Sequence, residues 1–218
     1  PHQRTAIDKV IEGLKTHDRG KLIMACGTGK TFTSLKLVER MVPVGGTVLF
    51  LVPSIALLQQ TLNEWTANAD VPLRPFAVCS DASVGRRRAS EDIAASDLGF
   101  PASTDPAKLA ARTAVSTGDE AITVVFSTYQ SIDVVRQAQD LGLAEFDLVI
   151  CDEAHRTTGV TELGQDGSAF TMVHDAAKIR AAKRLYMTAT PRIYVQEAKA
   201  KAAQDQVTVY SMDDESIY

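Results

Sequence analysis

No apolar run in the 218 residues is long enough to cross a bilayer; the longest, such as Thr47–Val52, are strand-sized, so no transmembrane helix and no membrane partner are expected. The opening Pro1-His2-Gln3-Arg4-Thr5 lacks the basic-then-apolar layout of a signal peptide, and it also lacks an initiator methionine, so the chain is expected to be cut from a longer one. There is no excess of positive charge: Lys+Arg 23 against Asp+Glu 27 gives −4, which excludes a protein that grips nucleic acid by bulk charge and leaves room for a local basic patch. Cysteine is scarce. Cys26, Cys79 and Cys151 are odd in number and widely spaced, with no CxxC pair, which argues against a disulfide framework and a zinc site and for reduced thiols in a cytoplasmic protein. Internal repeats and low-complexity tracts are also missing. What remains is an ordinary globular balance, 45% hydrophobic and 23% charged, at a length that suits one large domain or two small ones.

Apolar strand-like runs alternate with longer amphipathic stretches, the pattern of a mainly parallel sheet with helices on both faces. The spacing of Ala6, Ile7, Val10, Ile11 and Leu14 predicts a helix over Thr5–Leu14. A short strand Lys21–Ala25, a turn Cys26–Gly29 and a helix Lys30–Met41 follow, the last broken by Pro43 and Gly45-Gly46. Thr47–Val52 reads as a strand, Ser54 as the cap of a helix reaching about Trp65, and Leu73–Ser80 as a third strand. The pattern loosens over about residues 81–119, an inserted or irregular segment with a helix expected over Pro106–Val115. Beyond it, strands are expected at Ala121–Phe126, Phe146–Cys151, Arg184–Met187 and Gln206–Tyr210, and helices at Ser131–Leu141 and Arg192–Gln204. One α/β domain over residues 1–218 is the expected organisation.

Three strings carry chemistry. Ala25-Cys26-Gly27-Thr28-Gly29-Lys30-Thr31 follows a predicted strand and opens a predicted helix. Glycines there let successive backbone N–H groups turn toward phosphate oxygens, and the helix N-terminus adds positive potential. Lys30 would reach the β/γ-phosphates and the Thr31 hydroxyl would hold Mg²⁺. The full GxxxxGK[ST] pattern wants glycine where this chain has Met24. Second, the apolar run Phe146–Cys151 delivers Asp152 and Glu153 at its C-terminal end, followed by Ala154-His155. Open α/β sheets place ligands at such strand ends, where one carboxylate can hold Mg²⁺ and its neighbour can take a proton from an attacking water. Third, Thr188-Ala189-Thr190 closes another apolar strand, with two hydroxyls in reach of an acidic cluster.

In this order, Gly27–Thr31, Asp152-Glu153-Ala154-His155 and Thr188-Ala189-Thr190 resemble motifs I, II and III of the superfamily-two helicases and translocases. Pro1-His2-Gln3 is similar to the segment whose glutamine contacts adenine. Leu51-Val52-Pro53-Ser54, with Leu57 and Gln59, resembles motif Ia, and Ser127-Thr128-Tyr129-Gln130-Ser131 resembles motif Ib. That family accepts a residue other than glycine at the Met24 position. The Thr-Tyr-Gln-Ser and Thr-Ala-Thr-Pro-Arg strings look closest to its restriction-enzyme branch, the DNA translocases of type I, type III and single-polypeptide systems.

The resemblance implies a RecA-like P-loop domain that binds ATP and Mg²⁺. Cys26, Gly27, Thr28, Gly29 and Lys30 would cradle phosphates, Thr31 and Asp152 would hold Mg²⁺, and Glu153 would activate water. His155, Thr188 and Thr190 would couple hydrolysis to movement. Gln3 would read adenine, and Pro53, Ser54, Thr128 and Tyr129 would face nucleic acid, with duplex DNA favoured. On residue type alone Tyr129 could equally pack in the core and Gln3 could be an exposed first-turn residue. The family completes its site with a second RecA-like domain carrying an arginine finger, often in Gln-x-x-Gly-Arg-x-x-Arg. Gly85-Arg86-Arg87-Arg88 is a decoy for that string, because Ala82 and Ala89 stand where Gln and Arg are needed. The Arg86–Arg88 triplet reads as a solvated loop or a phosphate contact, and Lys178, Arg180, Lys183 and Arg184 as the polar flank of a strand. An RNA helicase of the same superfamily is the nearest alternative. A P-loop kinase would need an acceptor site and a lid, a GTPase would need an Asn-Lys-x-Asp string that is absent here, and intact Lys30, Asp152 and Glu153 argue against a non-catalytic nucleic-acid-binding module. No Asp…Glu-x-Lys nuclease signature stands out.

Overall fold

A computed structural model describes residues 2–79, 102–114, 120–162, 168–195 and 207–218. The elements run α1 (His2–Thr16), β1 (Arg19–Ile23), α2 (Lys30–Met41), β2 (Thr47–Val52), α3 (Ile55–Asn68), β3 (Leu73–Val78), α4 (Pro106–Ala114), β4 (Ile122–Thr128), α5 (Ile132–Asp140), β5 (Phe146–Cys151), β6 (Gly159–Glu162), β7 (Ala181–Thr188) and β8 (Val207–Tyr210). Six of the strands form one parallel sheet in the order β1-β7-β5-β2-β4-β3, and β6 pairs antiparallel with β8.

The alternation of side chains along each strand splits the core into two layers. Val48, Phe50 and Val52 of β2, Leu148 and Ile150 of β5, and Leu185 and Met187 of β7 face α1, α2 and α3. Leu49, Leu51, Val149, Cys151 and Tyr186 face α4, α5 and the C-terminal residues Met212 and Tyr218. The first layer is centred on Trp65, edge-on to Phe50 and Phe126 at centroid distances of 5.1 and 5.5 Å. Truncating a fully buried tryptophan of this kind costs about 3–5 kcal/mol.

Local signals set the element ends. Ser54 Oγ accepts from the Leu57 amide at 3.3 Å and starts α3, while Val42 turns the chain into extended backbone just before Pro43. The predicted helix over Arg192–Gln204 is not formed in its described part: residues 192–195 have no regular secondary structure. Their backbone bonds outward, with Met212 N donating to Arg192 O at 3.1 Å and Tyr194 N to Ser211 Oγ at 3.0 Å, which removes the i to i−4 pairing a helix needs. Residues 196–204, the Arg86–Arg88 triplet and most of the loosened 81–119 stretch lie outside the described residues. No described helix is long and apolar enough to cross a membrane.

Strand β7 begins at Ala181, earlier than its apolar run, because Phe146 pairs with Ala181 and Arg19 with Arg184. Arg184 is therefore a correction to its reading as part of the polar flank of a strand. It is 1% exposed, and its guanidinium donates to the carbonyls of Val173 (3.0 Å) and Ile179. A charge so placed is tolerated because those carbonyls replace water.

Candidate active site

The register of the parallel sheet lines up the strand ends: Ile23 lies beside Thr188, Tyr186 beside Cys151, and Cys151 beside Leu51. The chain leaving β1, the turn leaving β5 and the end of β7 therefore meet at one sheet edge, the C-terminal edge where open α/β sheets bind ligands.

The loop after β1 is built by two glycines in the left-handed region, Gly27 (φ 75) and Gly29 (φ 83). At φ 83 any side chain at Gly29 would be strained, and a Cβ there would also displace the end of the Gln3 side chain, so glycine suits that position. Thr28 Oγ1 donates to Ala25 O at 2.7 Å and closes the turn. Gln3 Nε2 donates to Thr28 O at 3.0 Å, which places α1 against the loop. Thr33 N and Thr33 Oγ1 both donate to Gly29 O, at 2.9 and 2.8 Å, so α2 propagates directly from the glycine turn. Cys26 is exposed on the loop. Thr31 is half-buried, and its carbonyl accepts from Trp65 Nε1 at 3.2 Å and from Ser34 Oγ at 2.7 Å, which anchors the first turn of α2 to the core.

Lys30, 11% exposed, points across the site: its Nζ lies 3.6 Å from Glu153 Oε1. The other oxygen of that carboxylate, Oε2, lies 3.3 Å from His155 Nδ1, and the same ring nitrogen is 3.0 Å from Thr188 Oγ1. Thr188 is fully buried, and its Oγ1 also accepts the Thr190 amide at 3.1 Å. Lys30, Glu153, His155, Thr188 and Thr190 thus form one chain of polar contacts from the first motif through the second to the third.

Asp152 sits behind them at 7% exposure. Its amide donates to Leu51 O at 2.9 Å and its carbonyl accepts from Tyr129, but its Oδ1 is buried with no hydrogen-bond partner. Desolvation, the largest influence, pushes its carboxyl up to about 6, and the adjacent Glu153 charge adds to the rise while Lys30 opposes it. A buried, unsatisfied carboxylate oxygen is costly unless a cation or donor completes it. The donor set at this edge, a carboxylate beside the Thr31-bearing helix start, consists of hard oxygens that suit Mg²⁺.

Of the four residues expected on a nucleic-acid face, the structure supports surface placement for one. Ser54 is exposed, with its Oγ engaged in capping α3. Pro53 is buried, Thr128 is 4% exposed with its hydroxyl on Ser131 Oγ at 3.2 Å, and Tyr129 is 0% exposed. Tyr129 is thereby a correction: its ring stacks on Phe170 at 5.0 Å and its hydroxyl donates to Asp152 O at 2.9 Å, so it serves the acidic turn from within. The segments carrying Pro53 and Thr128 do adjoin each other, because Val52 pairs with Thr128 at the same sheet edge.

A buried polar group behind the acidic turn has no counterpart among the sequence motifs. His174 Nδ1 lies 3.1 Å from the Tyr186 hydroxyl, and Nε2 lies 3.1 Å from Thr157 O. Because a carbonyl can only accept, Nε2 carries the proton and Nδ1 accepts from Tyr186. Burial pulls the imidazole down to about 4 and holds it neutral. Thr157 Oγ1 also lies 3.0 Å from the Tyr218 hydroxyl. The available signal was Arg184 and Tyr186 inside an apolar strand; His174 carried none.

A phosphate loop, an acidic turn and a hydroxyl-bearing strand end on one parallel sheet define a helicase-type P-loop domain. Residues 1–193 match the family described as type III restriction enzyme, res subunit, and the chain belongs to that family. Among solved structures it is similar to the ATP-dependent type ISP restriction-modification enzyme LlaBIII bound to DNA, at 44% identity and a TM-score of 0.80, over all of this chain and 14% of that one. The fold is RecA-like and is shared with the Hef helicase domain of Pyrococcus furiosus, at 19% identity and a TM-score of 0.55, over 92% of this chain and 35% of that one. The probable helicase A859L of African swine fever virus is 29% identical over 191 residues, which is 88% of this chain and 19% of that protein. The chain spans about a fifth of the length of the curated relatives it matches, 19% and 22%.

Proposed function

We propose that this chain is the ATP-binding motor domain of a DNA translocase that couples ATP hydrolysis to movement on duplex DNA within a restriction-modification enzyme. The observation that carries the reading is the buried, unpartnered Asp152 Oδ1 beside the Lys30–Glu153–His155–Thr188 chain of contacts.

In this reading Gly27–Gly29 and Lys30 bind the phosphates, Gln3 sits by the base, and Thr31 and Asp152 hold Mg²⁺, which neutralises charge on the phosphate oxygens. Glu153 takes a proton from the water that attacks the terminal phosphorus as the phosphoanhydride bond breaks. His155, Thr188 and Thr190 pass the change in charge at Glu153 to the end of β7. The similarity to a DNA-bound restriction-modification enzyme supports DNA as the track. Three cysteines, none in a disulfide, agree with a cytoplasmic setting.

A second RecA-like domain completes the site in this reading. An arginine finger is worth about 10³–10⁵ in rate, so the 218-residue domain alone binds nucleotide yet hydrolyses it poorly. Robust nucleic-acid-stimulated turnover by the isolated domain counts against that division of labour.

The test is ATP hydrolysis by the full-length polypeptide carrying this domain, with no nucleic acid, duplex DNA, single-stranded DNA and RNA compared at one salt concentration, beside a Glu153→Gln control. Stimulation chiefly by duplex DNA and lost in the control is expected. Stimulation chiefly by RNA keeps the site and overturns the substrate.

A further inference from the structure

Among the described residues, Glu153 is the one non-glycine residue with positive φ (φ 48, ψ 46). A side chain in the left-handed region is disfavoured by contact between its Cβ and the following carbonyl, so the neighbouring structure must hold it there. Two buried donors grip the turn from either side. Before it, the Tyr129 hydroxyl donates to Asp152 O at 2.9 Å. That oxygen belongs to the peptide plane ending at the Glu153 nitrogen, so its direction fixes one side of the Glu153 φ rotation. After it, Glu153 O accepts the Arg156 amide at 2.9 Å, and the short 3₁₀ turn Ala154–Thr157 ends where Thr157 O accepts from His174 Nε2 at 3.1 Å.

The Tyr129 hydroxyl is sealed from solvent between Asp152 O, to which it donates, and the Cys151 thiol. The residue is 0% exposed, its ring lies flat on Phe170, and because a carbonyl oxygen can only accept, the hydroxyl is the donor to Asp152 O. From this geometry we infer that Tyr129 is a positioning residue of the hydrolytic site, its hydroxyl fixing the Asp152–Glu153 peptide so that the Glu153 carboxylate stays between Lys30 and His155. The inference rests on the ATPase reading above for its kinetic consequence, but its structural consequence stands apart from that reading.

Tyr129→Phe removes the hydroxyl and keeps the ring. In the full-length polypeptide with Mg²⁺, ATP and duplex DNA, kcat is expected to fall about tenfold, with KM for ATP within about twofold of wild type and the melting temperature little changed. A crystal structure of the variant is expected to show Glu153 released from the left-handed region. If Tyr129 only packs, the phenylalanine variant hydrolyses ATP as wild type does, and an unchanged kcat overturns the inference. A wild-type protein as inactive as its Glu153→Gln control overturns the proposed function instead. The variant's structure then decides alone: Glu153 still near φ 48 rejects the positioning role, and a relaxed turn supports it.

Discussion

The His155 ring and the Thr188 hydroxyl meet at 3.0 Å, joining the turn that leaves β5 to the end of β7. Because Thr188 Oγ1 also accepts the Thr190 amide, the same oxygen sets the direction of the chain leaving the strand. Glu153 Oε2 lies 3.3 Å from the same ring nitrogen, so in the proposed mechanism these contacts are the route by which a change of charge at Glu153 reaches the neighbouring strand.

Thr188→Ala tests that link. The residue is fully buried but the cut removes one hydroxyl and one methyl, so stability is expected to fall by about 1–2 kcal/mol. Nucleotide affinity should stay within about twofold, because Lys30 and the glycine loop are untouched. DNA-stimulated turnover in the full-length polypeptide should drop about tenfold or more. An affinity loss equal to the loss in turnover would place Thr188 in binding rather than in coupling.

Gly29 offers a different kind of test, through the backbone. At φ 83 an alanine is strained by about 1–2 kcal/mol, and its Cβ displaces the end of the Gln3 side chain from Thr28 O, so Gly29→Ala distorts the loop and loosens its tie to α1. The expected outcome is a lower denaturation midpoint and at least a tenfold loss in affinity for a fluorescent ATP analogue. Gly13→Ala is the control: it lies in α1 with nothing near its Cβ, so it should stabilise by about 0.5–1 kcal/mol and leave binding alone.

Much of the architecture is readable from the chain, and the reasons for success and failure are physical. Lys30–Met41, Thr47–Val52 and Phe146–Cys151 match their expected bounds because glycine, proline or a carboxylate pair punctuates each apolar run. The phosphate loop, the acidic turn and the strand-ending threonines are likewise visible, since each needs a contiguous string. Strand β6 was not foreseen: it is four residues long, and its pairing with β8 is a long-range contact with no local periodicity. Tyr129 and Arg184 show the same limit at single residues. Tyr129 sits in a string that resembles a nucleic-acid motif, and Arg184 carries a charge, yet both are buried because particular carbonyls, those of Asp152, Val173 and Ile179, receive them. No residue-type rule anticipates a partner that only the folded sheet brings near.

The three thiols differ sharply in access, which gives a direct probe of the loop. Cys26 is exposed on the phosphate loop, while Cys79 and Cys151 are buried and burial pushes the Cys151 thiol up to about 12. N-ethylmaleimide under native conditions should therefore add one equivalent, at Cys26, as read by intact mass and peptide mapping. Saturating MgATP should slow that labelling by about tenfold or more, because bound phosphates occupy the space around the loop. Labelling of Cys79 or Cys151 at the same rate, or indifference to nucleotide, would contradict this placement.

His174 makes stability depend on pH with a definite sign. Its folded value of about 4 lies below the unfolded 6.5, so between those pH values the unfolded chain binds the extra proton and stability is lost as pH falls. From pH 7 to pH 4.5 the loss attributable to this group is about 2–3 kcal/mol. Asp152 runs the other way: its folded value of about 6 exceeds the ordinary 3.8 of an unfolded aspartate, so the folded protein gains stability as pH falls through the same window. The two must be separated. In an Asp152→Asn background, urea denaturation should give a clear drop in unfolding free energy between pH 7 and pH 4.5. Adding His174→Gln, which can still donate to Thr157 O, should flatten most of that drop. An undiminished slope in the double variant would mean that the imidazole is already protonated in the fold, and that the Tyr186–His174–Thr157 chain runs in some other sense than a neutral ring with its proton on Nε2.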